Sequence, residues 1–128
     1  REKIMTQSKR NSMNRKNGED FERKLVRKFK KRSDVLYVQR GAGSFGVWDM
    51  MIQFIDGSTL YISAKINGYH DQAERAKILK FLRKVKRNRM TNVRMEMWFY
   101  KTTRKTSHMK IKTEGDVDKL ETMRRVMV

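Results

Sequence analysis

A chain of 128 residues has room for one domain with a modest core and one site. No cysteine is present and the two histidines stand far apart, which excludes disulfides and thiolate metal sites and argues against zinc. Lys and Arg outnumber Asp and Glu by 32 to 14, for a net charge of +18, so the field attracts polyanions, nucleic acid first among them. No apolar run approaches the roughly 20 residues of a membrane span, and a soluble, intracellular (cytoplasmic) protein of a cell or its virus is expected, with no membrane partner.

Residues 1–16 are polar, basic and without periodicity, and read as a flexible arm whose Arg10 meets phosphate; residues 17–128 read as one domain. Asn17 suits a helix cap, and Phe21, Leu25, Val26 and Phe29 mark one face of a first helix over 18–32. A short strand over 35–39 follows, then a glycine-rich loop over 40–46 that either cradles phosphate or makes a tight turn. Residues 47–55 form an apolar strand interrupted by Asp49, and Asp56-Gly57-Ser58 turns it into a second strand over 59–65. Period two puts Tyr61, Ser63 and Lys65 on one face and Leu60, Ile62 and Ala64 on the other.

A second helix over 70–88 buries Ile78, Phe81, Leu82 and Val85 and presents Lys77 and Lys80 on a one-sided basic face suited to a nucleic-acid backbone. Strands over 93–100 and 109–112 and a terminal helix or tail over 114–128 complete the chain. Trp48, Trp98, Phe99 and Tyr100 read as core in preference to base-stacking surface. The order α-β-β-β-α-β-β predicts a mixed α/β fold, a central mixed sheet flanked by helices.

The charges are segregated. Residues 1–40 carry fourteen bases against five acids and residues 75–112 fourteen against one, whereas residues 41–74 hold Asp49, Asp56, Asp71 and Glu74 against Lys65 alone. Cutting a phosphodiester needs that pattern, because cations hold the backbone while carboxylates hold the metal ion. A carboxylate amid apolar residues needs a partner. Lys65, brought back by the hairpin, either closes a salt bridge with Asp49 or orients the attacking water beside an Asp49-bound ion. Glu22 either neutralises a base one turn along its own helix or joins that site. With oxygen ligands only, Mg2+ or Mn2+ is the expected cofactor.

The segments Gly18-Glu19-Asp20-Phe21-Glu22-Arg23, Arg40-Gly41-Ala42-Gly43-Ser44, Asp49, Ile62-Ser63-Ala64-Lys65, Gln72-Ala73-Glu74 and Phe81 keep, in order, the pattern of a known family. Over Gly18 to about Val85 the chain resembles the archaeal Holliday junction resolvases, of the restriction-endonuclease-like superfamily. The resemblance implies a homodimeric Mg2+-dependent endonuclease that resolves four-way DNA junctions in recombination and repair. It makes Glu22 and Asp49 metal ligands and Lys65 the catalytic lysine. Arg23, Arg40 and Ser44 become DNA contacts, and Phe81 a contact of the dimer interface.

The chain departs from that family at Ser63, which stands where its E-x-K motif has glutamate. A hydroxyl is a poor Mg2+ ligand beside a carboxylate. Three readings stay open: the site is silent and the chain only binds branched DNA; a helix-borne Glu74 or Asp71 replaces the missing carboxylate; or Glu22 and Asp49 suffice, with Ser63 as a weak third ligand. Two rival functions differ in substrate, namely a nuclease acting on duplex ends or flaps and a basic RNA-binding protein of ribosomal type.

Overall fold

The computed structural model describes residues 7–66, 72–100 and 106–127. In chain order the elements are α1 (Gln7–Lys30), β1 (Val35–Phe45), β2 (Trp48–Phe54), β3 (Thr59–Ile66), α2 (Gln72–Arg87), β4 (Val93–Tyr100), β5 (Thr106–Lys110) and α3 (Glu114–Met127). The five strands form one sheet in sequence order. β3 and β4 run parallel through the α2 crossover and every other neighbouring pair is antiparallel. The mixed sheet flanked by helices is therefore as expected.

Two apolar layers sandwich that sheet. Phe21, Leu25 and Phe29, at helical spacing on α1, pack on Met50, Ile52, Phe54, Leu60, Ile62 and Trp98. On the opposite face Ile78, Leu82 and Val85 of α2, with Val117 and Leu120 of α3, cover Met95, Met97 and Phe99. The alternation of β3 is as expected: Leu60 and Ile62 lie with α1, while Tyr61 packs on the α2 side. Trp48, Trp98 and Phe99 are all buried core, whereas Tyr100, expected with them, is only half-buried at the end of β4.

Three boundaries differ from the sequence reading. α1 begins at Gln7, so residues 7–16, expected as an arm, continue its backbone, and Asn17 lies inside the helix. β1 runs on through Arg40 to Phe45 where a loop was expected, and the chain reverses at Gly46, whose φ of 64° suits glycine. β5 lies earlier, at Thr106–Lys110. α3 is a full helix, and its start has a reciprocal cap: Thr113 Oγ1 accepts from Asp116 N while Asp116 Oδ2 accepts from the Lys112 and Thr113 amides.

The β1–β2 ladder shifts register twice, once between Val35 and Tyr37 and again beyond Arg40: it pairs evenly from Tyr37↔Gln53 to Arg40↔Met50, then slips before Phe45↔Trp48. On the other side, β2 and β3 pair only as far as Met50↔Ile62. Trp48 and Met50, two apart, accordingly pack in opposite layers, whereas an unbroken pleat puts such residues on one face. Asp49 is the residue at this break.

Gly41 lies buried beside it, where a Cβ would meet the Phe45 ring at 2.7 Å and the Trp48 carbonyl oxygen at 3.0 Å. Gly41→Ala should therefore destabilise the fold by about 1–3 kcal/mol, as overpacking does, seen as a lower urea midpoint with unchanged m-value. An unchanged midpoint would mean that the break has slack.

Candidate active site

The broken ladder leaves an amide without a strand partner, and a side chain takes it. Asp49 Oδ2 accepts from the Ala64 backbone N–H at 2.7 Å, and the Ser63 hydroxyl stands 3.5 Å from the same oxygen, a long and weak contact. Ser63 itself is fully buried. The salt bridge between Asp49 and Lys65 does not form: Lys65 Nζ instead donates to Glu74 Oε1 at 2.6 Å. Glu74 lies in the first turn of α2, where the helix dipole favours a carboxylate. The crossover thus carries an acid to the end of β3 that hairpin reasoning assigned to Asp49.

Glu22 is not paired along its own helix. Arg40 Nη2, across on β1, donates to Glu22 Oε2 at 2.7 Å. An acid from α1 and one from α2 therefore flank the break, each holding one cation. Burial pushes the Asp49 carboxyl from 3.8 up to about 6; the Ala64 N–H and the nearby Lys65 charge pull it down, while Glu22 and Glu74 push it further up. Three acids from three elements thus share one field.

Among the described residues no three acids or histidines lie within common reach of one ion. The donor chemistry nonetheless fits a hard divalent cation: the oxygens are carboxylates, and desolvation of the half-buried Asp49, with a smaller push from Glu22 and Glu74, disfavours its bare charge. Glu22 and Glu74 are close enough to act on the Asp49 charge.

The other expected site residues are dispersed. Arg23, Lys77 and Lys80 are exposed on α1 and α2. Phe81 is half-buried and packs within the chain, its ring 5.4 Å from Trp48 and 5.2 Å from Tyr61. The side chains of Arg10 and Ser44, and all of Asp71, lie outside the described residues. No helix of the described residues is long and apolar enough to cross a membrane.

Reasoning from sequence missed the Glu22–Arg40 pair, having assigned Arg40 to phosphate, and missed the break itself. Only the glycine cluster opposite Asp49 hinted at an irregular strand.

Asp49 sets a pH dependence whose sign follows from its raised value. Between about pH 4 and 6 the folded chain binds more protons here than the unfolded one, so this group's contribution is greatest below 3.8 and is lost as pH rises through about 6. The shift from 3.8 to about 6 corresponds to about 3 kcal/mol. Asp49→Asn, whose amide oxygen still accepts from Ala64, should be more stable than the native chain by about 1–3 kcal/mol at pH 7, a gain that fades towards pH 4. Denaturant melts of both chains across that range check this; a gain independent of pH would mean that Asp49 is not strained by its charge. Compared with family models, curated proteins and solved structures, the chain gives no match.

Proposed function

We propose that this chain is a metal-dependent DNA endonuclease of the restriction-endonuclease-like fold that resolves four-way junctions. The observation that carries the proposal is the half-buried Asp49 at the sheet break, raised to about 6 chiefly by desolvation, with Glu22 and Glu74 acting on it and Lys65 alongside. A half-buried acid is costly to ionise, and in a chain of net charge +18 a cluster of acids beside Lys65 and Arg40 suits a metal and a phosphate.

Asp49, with Glu74 and Glu22, would hold Mg2+ or Mn2+. The bound ion supplies Lewis acidity at the phosphate and lowers the pKa of water. Lys65, released from Glu74, positions the attacking water and offsets the charge that grows on the scissile phosphate. Arg40, released from Glu22, turns to the DNA backbone with Arg23, Ser44, Arg10 and the basic face around Lys77 and Lys80. Contacts of this kind read branched shape in preference to sequence. Glu74 takes the place of the missing motif glutamate, a choice supported by its pairing with Lys65 at 2.6 Å. Ser63, fully buried, keeps its hydroxyl on Asp49. A homodimer joined near Phe81 would provide the two symmetric cuts that a junction requires.

One observation favours a second reading. Lys65 and Arg40 already neutralise Glu74 and Glu22, as in a silenced site that only binds branched DNA.

Labelled four-way junction and matched duplex, with Mg2+ or EDTA, separate the two. Paired, Mg2+-dependent junction cuts should fall at least about a hundredfold in Asp49→Asn and in Glu74→Gln, as expected when a charged group of a metal site is lost. Ser63→Glu combined with Glu74→Ala should restore part of the activity by returning the third acid to the strand. Mg2+ should also raise the melting temperature of the native chain, by mass action, and not that of Asp49→Asn. Cutting that appears only with Ser63→Glu would establish the silenced site. Cuts confined to flaps or ends would keep the nuclease and remove the junction, and no cutting, with no Mg2+ shift and no junction binding, would overturn the proposal altogether.

A further inference from the structure

α1 has two flanks. One carries Glu22 towards Arg40 and the acidic cluster; the other looks across β4 and β5, where the helix leaves a groove. Three adjoining hollows make it up. The first, about 180 Å³, lies between Asn17, Lys24 and Tyr100. The middle one, about 550 Å³, runs under Lys24, Arg27, Lys28 and Lys31 against Thr106. The last, about 350 Å³, is bounded by Lys28, Arg32, Arg94 and Lys110 and floored by Trp98 and His108. Lys24 is shared by the first two and Lys28 by the last two, so the path is continuous.

Along this path cations and aromatic rings are matched in rungs. Lys24 Nζ lies 5.9 Å from the Tyr100 ring centre and Lys28 Nζ 4.8 Å from that of Trp98. The Arg32 guanidinium stands 5.5 Å from the Phe54 ring centre, where Arg94 also lies, at 4.7 Å. Lys24 and Lys28 are four residues apart on α1, a rise of about 6 Å along a helix, the order of the separation between successive phosphates in an extended strand, and Arg32 follows just beyond the helix end at Lys30. The Asp34 carboxylate fixes the Arg32 fork through two hydrogen bonds, at 3.0 and 2.7 Å. At the floor the exposed His108 stacks on Trp98 with centroids 4.4 Å apart and planes 14° from parallel, leaving its outer face to solvent.

We infer that this groove binds a single-stranded stretch of nucleic acid, its phosphates following the Lys24–Lys28–Arg32 ladder and a base extending the Trp98–His108 stack. Charge complementarity identifies the occupant: the lining cations of the three hollows, seven in all, face two lining carboxylates, Asp20 and a Glu96 that already accepts from Trp98 Nε1 at 2.9 Å, while Asp34 holds Arg32. Bases reach an aromatic floor only when unpaired, so a single strand fits where a duplex does not. The inference does not rest on hydrolysis at Asp49. If both hold, the groove gives an unpaired arm of branched DNA a path on the far flank of α1.

Fluorescence anisotropy of a labelled oligothymidylate in EDTA tests it, with a duplex of equal length as competitor. The native chain should prefer the single strand. Lys24→Gln with Lys28→Gln should weaken binding about tenfold or more and flatten the slope of log affinity against log salt by about 1.4, two phosphate contacts on a single strand. Lys24→Arg with Lys28→Arg should restore both, which mere helix clamping would not require. His108→Ala should weaken binding about tenfold through lost stacking. Lys112→Gln with Lys119→Gln removes the same charge outside the groove and should cost far less. An equal loss from that pair would mean bulk attraction and overturn the inference, as would a silent His108→Ala or equal affinity for duplex. Because binding is read without metal, a chain that holds the oligonucleotide here but cuts no DNA leaves the groove standing and removes the nuclease.

Discussion

The Asp49 carboxylate in the broken ladder is the interaction on which the site depends. A sheet tolerates an interruption only if the freed backbone groups find other partners, and here one side-chain oxygen takes the Ala64 amide at 2.7 Å. That single bond lets β2 turn over between Met50 and Trp48, so that the strand serves the α1 layer at one end and the α2 layer at the other. It also fixes a charge-bearing group at the edge of the core, between the start of β2 and the end of β3. Lys65 and Glu74 meet beside it because β3 leads straight into the α2 crossover, and Glu22 meets it because Phe21 and Leu25 anchor that stretch of α1.

The surplus of positive charge is handled by a related economy. Several cations are not left free in solvent but lie against a carboxylate or an aromatic ring: Arg40 on Glu22, Lys65 on Glu74, Lys28 on Trp98, Arg94 on Phe54. Exposed contacts of this kind contribute little to stability, from nothing to about 1 kcal/mol each. Their effect is positional, since each holds a flexible cation in one place on the surface and so lowers the ordering cost of any contact that the cation then makes. α1 organises both sets, one on each flank, which is why a helix with a narrow apolar stripe carries so many basic residues.

Much of this was legible in the sequence because it depends on local pattern. The alternation over Thr59–Lys65 assigned each side chain of β3 to its layer, and the apolar run over Val93–Tyr100 gave β4 its limits. The start of α1 was not legible: residues 7–16 have no apolar periodicity, and Asn17 looks like a cap whether or not the helix passes through it. Nor was β1 beyond Arg40, since glycines that suggest a loop also permit a strand to slip register. In the site, sequence brought Asp49 and Lys65 to one hairpin mouth but could not choose the lysine's partner. That choice belongs to the crossover, which sets Glu74 against Lys65 only once α2 has packed on the sheet.

Ser63 shows how such a choice constrains what a site can become. It is fully buried beside Asp49, on the strand that also carries Lys65. A glutamate there would have to find room in a closed layer or reach the opening that Glu74 already occupies from α2. A strand-borne and a helix-borne acid are therefore competing solutions to one electrostatic problem, and a second carboxylate added to both would push the Asp49 pKa higher still. With Glu74 in place, serine at position 63 satisfies the packing at the break and adds no further negative charge to the field that Asp49 already shares with Glu22 and Glu74.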